Sequence, residues 1–292
     1  MKIGVSSYSY SRLVRSGQMK QIEVISKAKE MGFDVLEFST IAVPEGETLP
    51  KFAEKLRKEA DRVGIALANY TIGADFINGS NGDLKAEIER VKEEVRIAKI
   101  LGVPGMRHDA SGGFPPEKKG AKSFDAALPR LREGCRAVTE YAASMGIKTM
   151  VENHGHFCQD SDRVEKLVTA VDHPNFGVLI DMGNFICVDE DPAVAVGRLM
   201  PYAFHVHAKD FHLKPGTAPW PGQGWALTRG GNYRRGAIIG HGDVPILACL
   251  RAMKRANFDG VLSIEFEGIE DVLMGISCGL EALRRFVAMV YA

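Results

Sequence analysis

The sequence predicts a single (β/α)8 barrel spanning residues 1–292. Three observations predict it. Short apolar or β-branched runs alternate eight times with longer stretches of helical period. Several helical stretches end in a glycine that leads straight into the next apolar run, the punctuation of βα units on a parallel sheet. No GxGxxG follows the first strand and no P-loop occurs, which argues against an open nucleotide-binding sheet.

The elements follow in order. A first strand over 2–9 is followed by a helix at 19–31 and Gly32. Strand 34–39 leads to helix 50–63 and Gly64, and strand 65–71 to helix 84–101 and Gly102. Strand 104–109 precedes helix 123–145 and Gly146; strand 147–154 precedes helix 160–171. Strand 176–182 and helix 191–199 come next, then strand 203–209. A long irregular segment, 211–243, is rich in Gly, Pro and basic residues. Following the seventh strand, it falls at the catalytic face of a barrel, and a loop of that length is usually functional or disordered. Helix 245–257, strand 260–267 and helix 271–290 close the pattern.

Hydrophobic residues make up 45% of the chain and charged residues 25%, enough apolar material for a sizeable core. The 37 basic residues balance the 37 acidic ones, so the basic footprint of a general nucleic-acid binder is missing. No apolar run approaches the roughly 18 residues of a membrane span, and no signal-peptide pattern opens the sequence. Cys135, Cys158, Cys187, Cys249 and Cys278 are scattered without CxxC spacing, which fits reduced thiols in a cytoplasmic protein.

The strongest signal lies in the last four strands. Each begins apolar and carries acids or histidines near its C-terminal end: Val151-Glu152-Asn153-His154, Leu179-Ile180-Asp181-Met182, His205-Val206-His207-Ala208-Lys209 and Ser263-Ile264-Glu265-Phe266-Glu267. One strand-end acid is readily explained by an ion pair. Four such groups on successive strands point to a common partner, because a buried charge is expensive unless paired or bound to metal. Alternation along a strand puts Glu152 with His154, His205 with His207 and Lys209, and Glu265 with Glu267 on inward faces. Glu152, Asp181, His207 and Glu265 would then hold one divalent metal ion per chain. Three carboxylates and an imidazole suit Mn2+ first, with Mg2+, Co2+ or Zn2+ as alternatives. Glu37, Asn69 and either Arg107 or His108 are further inward candidates. In the segment 211–243, Arg234 and its basic neighbours Lys214, Arg229, Arg235 and His241, with Trp220 and Trp225, fit a lid over a sugar or a subunit contact.

At these residues the sequence resembles the xylose isomerase-like barrels, over nearly its whole length. Val151-Glu152-Asn153-His154-Gly155, Ile180-Asp181-Met182-Gly183-Asn184, His205-Val206-His207-Ala208-Lys209-Asp210, Gly240-His241-Gly242-Asp243-Val244 and Ser263-Ile264-Glu265-Phe266-Glu267-Gly268 carry the resemblance. It implies the same four metal ligands. It also implies a sugar or polyol isomerase or epimerase that abstracts a proton beside a carbonyl through an enediolate, with Glu152 and Glu265 on opposite faces of the substrate. The chain is also similar to inosose dehydratases and to barrel subunits of C-glycoside-cleaving enzymes. That likeness implies the alternative of a metal-dependent lyase, with His154 as acid/base and a small second subunit. Homo-oligomers are common in these families. Lys209, His205, Glu267, Asn184 and Arg234 are the expected substrate contacts, His205 doubling as support for a ligand. Asn184 stands where many epimerases have histidine, and the extra ligands of the three-zinc DNA-repair members are missing. No dedicated phosphate cradle occurs.

Overall fold

The structure, a computed structural model, describes residues 1–292. In chain order it contains β1 (Lys2–Ser6), α1 (Ser11–Arg15), α2 (Glu23–Glu30), β2 (Val35–Ser39), α3 (Leu49–Val63), β3 (Ala66–Ile72), α4 (Leu84–Leu101), β4 (Gly105–His108), α5 (Phe124–Ser144) and β5 (Lys148–Glu152). There follow α6 (Ser161–Val171), β6 (Phe176–Asp181), α7 (Pro192–Leu199), β7 (Ala203–Ala208), β8 (Asp210–Lys214), β9 (Ala226–Leu227), β10 (Tyr233–Ala237), α8 (Ile246–Arg255), β11 (Val261–Ile264) and α9 (Val272–Tyr291). Eight strands close a parallel barrel in the order β1-β11-β7-β6-β5-β4-β3-β2. One cluster of 73 buried apolar residues runs through strands and helices alike, which makes the chain a single domain. No helix is long and apolar enough to cross a membrane.

Local chemistry sets the element ends. Asp83, Ser123, Asp191 and Asp271 cap α4, α5, α7 and α9, their side chains accepting from N–H groups of the first turn. Gly64 and Gly102 end α3 and α4 in the left-handed conformation, at φ +72° and +69°.

The barrel strands stop earlier than the sequence pattern suggests. Residues 7–10 form a 3-10 turn after β1, and His154 and Glu267 lie beyond the ends of β5 and β11. Glu265 prolongs the ladder by one step, donating its N–H to Ala208 O at 3.0 Å. Segment 211–243 is more ordered than expected. Its strands β8, β10 and β9 form a separate antiparallel sheet, with Arg234 opposite Leu213 and Ala226. Asp210 closes the base of this insert by accepting from the N–H groups of Phe211, Gly240, Gly242 and Val244. A side chain at Gly242 would collide with that carboxylate, which gives the Gly-His-Gly-Asp-Val segment its structural role.

The inside of the barrel is polar below its mouth: Glu37, Asn69, His205 and Ser263 are buried there. Two glycines make the room. A Cβ at Gly4 would lie 2.7 Å from Ser263 Oγ and 2.8 Å from Val35 Cγ2, and one at Gly105 would lie 2.8 Å from Met150 Cε. Gly4→Ala should therefore destabilise the fold by about 1–3 kcal/mol, the usual cost of overpacking. Urea unfolding checks this; an unchanged midpoint would mean that the inner layer has slack.

Candidate metal centre

Parallel strands in a barrel all end on one face, so a strand-end residue on each of four neighbours converges there. Glu152 ends β5, Asp181 ends β6, His207 is the next-to-last residue of β7 and Glu265 follows β11, on the adjacent strands β5-β6-β7-β11. Their donor atoms all lie within 4.8 Å of one another. His207 Nδ1 is 3.7 Å from both Asp181 Oδ2 and Glu265 Oε1. Asp181 Oδ2 and His207 Nδ1 are buried and make no hydrogen bond. Buried polar atoms without partners are rare and costly. His207 Nδ1, unbonded, and Asp181 Oδ2, met only by the Lys209 ammonium, face one point among three carboxylates and fit a hard divalent cation.

The neighbours hold this set in place. Glu37 Oε1 lies 2.5 Å from His207 Nε2, so Nε2–H donates to Glu37 and Nδ1 is the nitrogen turned to the carboxylates. Glu37 is fully buried and also faces Asn69 Nδ2 and His205 Nε2, each at 3.3 Å. Burial opposes its charge, but His207 and His205 outweigh burial and hold the carboxyl down at about 2. On Asp181, Oδ1 accepts from the N–H groups of Gly183 and Asn184, at 2.8 and 2.9 Å. The Asn153 amide ties β5 to β6 by exchanging two bonds with the Asp181 backbone.

Two cations balance the acids. Lys209 Nζ lies 2.5 Å from Glu265 Oε2, 3.1 Å from Asp181 Oδ2 and 3.4 Å from Glu267 Oε1. Burial alone would lower its pKa; Asp181, Glu265 and Glu267 reverse that and raise it well above the usual lysine value. It stays charged and is no base. Arg107 Nη2 lies 2.5 Å from Glu152 Oε2 and 3.1 Å from Asp109 Oδ1. Burial and the nearby Glu265 nevertheless leave Glu152 above the ordinary carboxylate range.

Above the ligands opens a polar cavity of about 400 Å³. His154, Asn184, Lys209, Arg234, Glu265 and Glu267 all line it. His205 does not: it sits one layer deeper, bonded to Ser263 Oγ at 2.9 Å, and supports Glu37. That corrects its expected contact with substrate. Asn184 is at the wall, but its amide is spent on Glu152 Oε1 at 2.9 Å and Lys209 Nζ at 3.2 Å. On β4 the inward residue is Arg107. His108 points outward between Phe76 and Phe176, where burial lowers its pKa to about 4. Sequence reasoning missed Tyr8, Asp109 and His156, which also line the cavity. Asp109 stands one residue past β4, as Glu265 does past β11, and that signal was available. It bridges Arg107 to His154, whose Nδ1 is 3.0 Å from Asp109 Oδ1.

Known proteins share this fold. An inosose dehydratase of Clostridium botulinum is 23% identical over 227 residues, covering 76% of each chain. A xylose isomerase domain protein from Planctomyces limnophilus superposes with a TM-score of 0.75 at 20% identity, covering 99% of this chain and 98% of that one. An L-ribulose 3-epimerase does so with a TM-score of 0.73 at 14% identity, covering 99% and 95%. The family model described as xylose isomerase-like TIM barrel matches residues 25–286, and the chain belongs to that family.

Proposed function

We propose that the protein is a divalent-metal-dependent isomerase or epimerase of a sugar or related polyol, moving a proton at a carbon beside a carbonyl. The observation that carries this reading is the convergence of Glu152, Asp181, His207 and Glu265, with His207 Nδ1 buried and unbonded and Asp181 Oδ2 met only by the Lys209 ammonium, beneath a polar cavity. Mn2+ is the first candidate ion. When bound, the ion would polarise the carbonyl and an adjacent hydroxyl of the substrate. The remaining work falls to the chain. Glu152 and Glu265 take the proton and return it. Lys209, held charged, stabilises negative charge that develops on the substrate oxygen. Glu267 and Tyr8, on the cavity wall, are placed to bind hydroxyls.

A second reading is a lyase on the same site, such as a dehydratase. Two observations favour it: the inosose dehydratase relative, and the orientation of His154 by Asp109 through Nδ1, with the other ring nitrogen free of protein partners. His154 would then protonate the departing group. Burial disfavours its charge, but Asp109 outweighs burial and raises its pKa, as an acid near neutrality requires.

Product analysis in D2O with a panel of ketoses, inososes and 3-oxo glycosides tests the first reading. Solvent deuterium in a recovered, isomerised sugar is the expected outcome, abolished by Glu265→Gln in a protein that keeps its far-UV circular dichroism. Loss of water or of an aglycone would establish the lyase; wild-type turnover by Glu265→Gln would remove that residue from the mechanism. Glu37→Gln should weaken Mn2+ binding by about 10–100-fold, the usual effect of losing a ligand's hydrogen-bond partner. Unchanged affinity in a calorimetric titration would mean that Glu37 does not orient His207.

A further inference from the structure

The charges around the cavity are matched with one exception. Arg107 faces Asp109 and Glu152; Lys209 faces Asp181, Glu265 and Glu267; His154 faces Asp109. In the insert, Arg229 pairs with Asp160 at 2.5 Å and Arg235 with Glu270 at 3.4 Å. Arg234 lines the same cavity and has no carboxylate partner, and its buried Nε makes no hydrogen bond. A half-buried guanidinium that faces the cavity without a counter-charge is available to a negative group from outside the chain.

The local structure keeps this guanidinium available. Arg234 is anchored in the middle of the antiparallel sheet by pairing with Leu213 and Ala226. Its guanidinium lies over the Phe211 ring, 5.0 Å from the centroid, which occupies one face and leaves the N–H edges for a ligand. His156, also on the cavity wall, forms no ion pair; burial with Arg234 and Arg229 nearby pushes its pKa down against the opposing effect of Asp160. Its backbone is left-handed at φ +63°, held by a bond from its N–H to Gln159 Oε1 at 2.5 Å and by Arg229 on its carbonyl. The strained residue and the unpaired cation therefore border the same electropositive part of the cavity.

We propose that the substrate carries an anionic group, a carboxylate or a phosphate, and that Arg234 binds it while the reacting carbons lie over Glu152, Asp181, His207 and Glu265. This rests on the reading of the cavity as a sugar site and narrows its substrate to a sugar acid or a sugar phosphate. A planar guanidinium edge matches either anion bidentately.

Calorimetric binding to the Mn2+-treated protein tests this without turnover, so it stands apart from which reaction is catalysed. The probes are D-fructose, D-fructuronate and D-fructose 6-phosphate. At least one anionic probe should bind about tenfold or more tightly than D-fructose, and which of the two does so distinguishes carboxylate from phosphate. Arg234→Met keeps the stem over Phe211 and should abolish that preference, bringing the anionic probes down to the level of D-fructose. Arg234→Lys should restore part of it. Equal binding of all three probes, failure of both anions to bind, or an equal loss for all probes in Arg234→Met would overturn the proposal.

Discussion

The structure depends on how it accommodates like charge at the mouth of the barrel. Asp109, Glu152, Asp181, Glu265 and Glu267 crowd there against the cations Arg107 and Lys209, with Glu37 buried just below. Buried carboxylates of this density repel one another and lose hydration, and each must be compensated or protonated. The chain uses every available device: backbone N–H groups on Asp181, the Asn184 amide on Glu152, two histidines on Glu37 and Lys209 between three acids. His207 Nδ1 has no hydrogen-bond partner, and Asp181 Oδ2, beside it on the neighbouring strand, has only the Lys209 ammonium. A divalent ion bound there would complete the balance and take the place of a proton on His207, whose charged form Glu37 and Glu265 favour against the effect of burial.

The fold serves that balance at each level. Gly4 and Gly105 leave space inside the barrel for Glu37 and its partners, so the histidine ligand is fixed from below. The ligand strands are neighbours, so their ends meet without long side chains having to reach. The insert between β7 and α8, closed at its base by Asp210, adds Arg234 to a cavity whose other charges come from barrel strand ends and the loops that follow them.

Much of this was legible in the sequence. Helix period, capping residues and terminal glycines outline the eight units, and acids at the ends of apolar strands mark the residues that converge at the candidate site. The strand ends were overrun because polar ligand-bearing residues continue the alternation after the ladder stops, as at His154 and Glu267. The small sheet of the insert was illegible: Tyr233-Arg234-Arg235-Gly236 has no apolar alternation, and its pairing is set by Asp210 and by cross-strand contacts far apart in sequence. The face of β4 could not be read from four residues, Gly-Met-Arg-His, in which both polar side chains are buried. Arg107 turns inward to two carboxylates, and His108 is accommodated outside between aromatic rings. His205 obeyed the alternation rule but lies two residues deeper than His207, too low to meet a substrate.

Calorimetric titration of Mn2+ into chelator-treated protein tests the central claim most directly. The account predicts one site per chain, proton release on binding, and loss of that site in Asp181→Asn with the fold intact by circular dichroism. Absence of binding in the wild type, or the same affinity in Asp181→Asn, would contradict it.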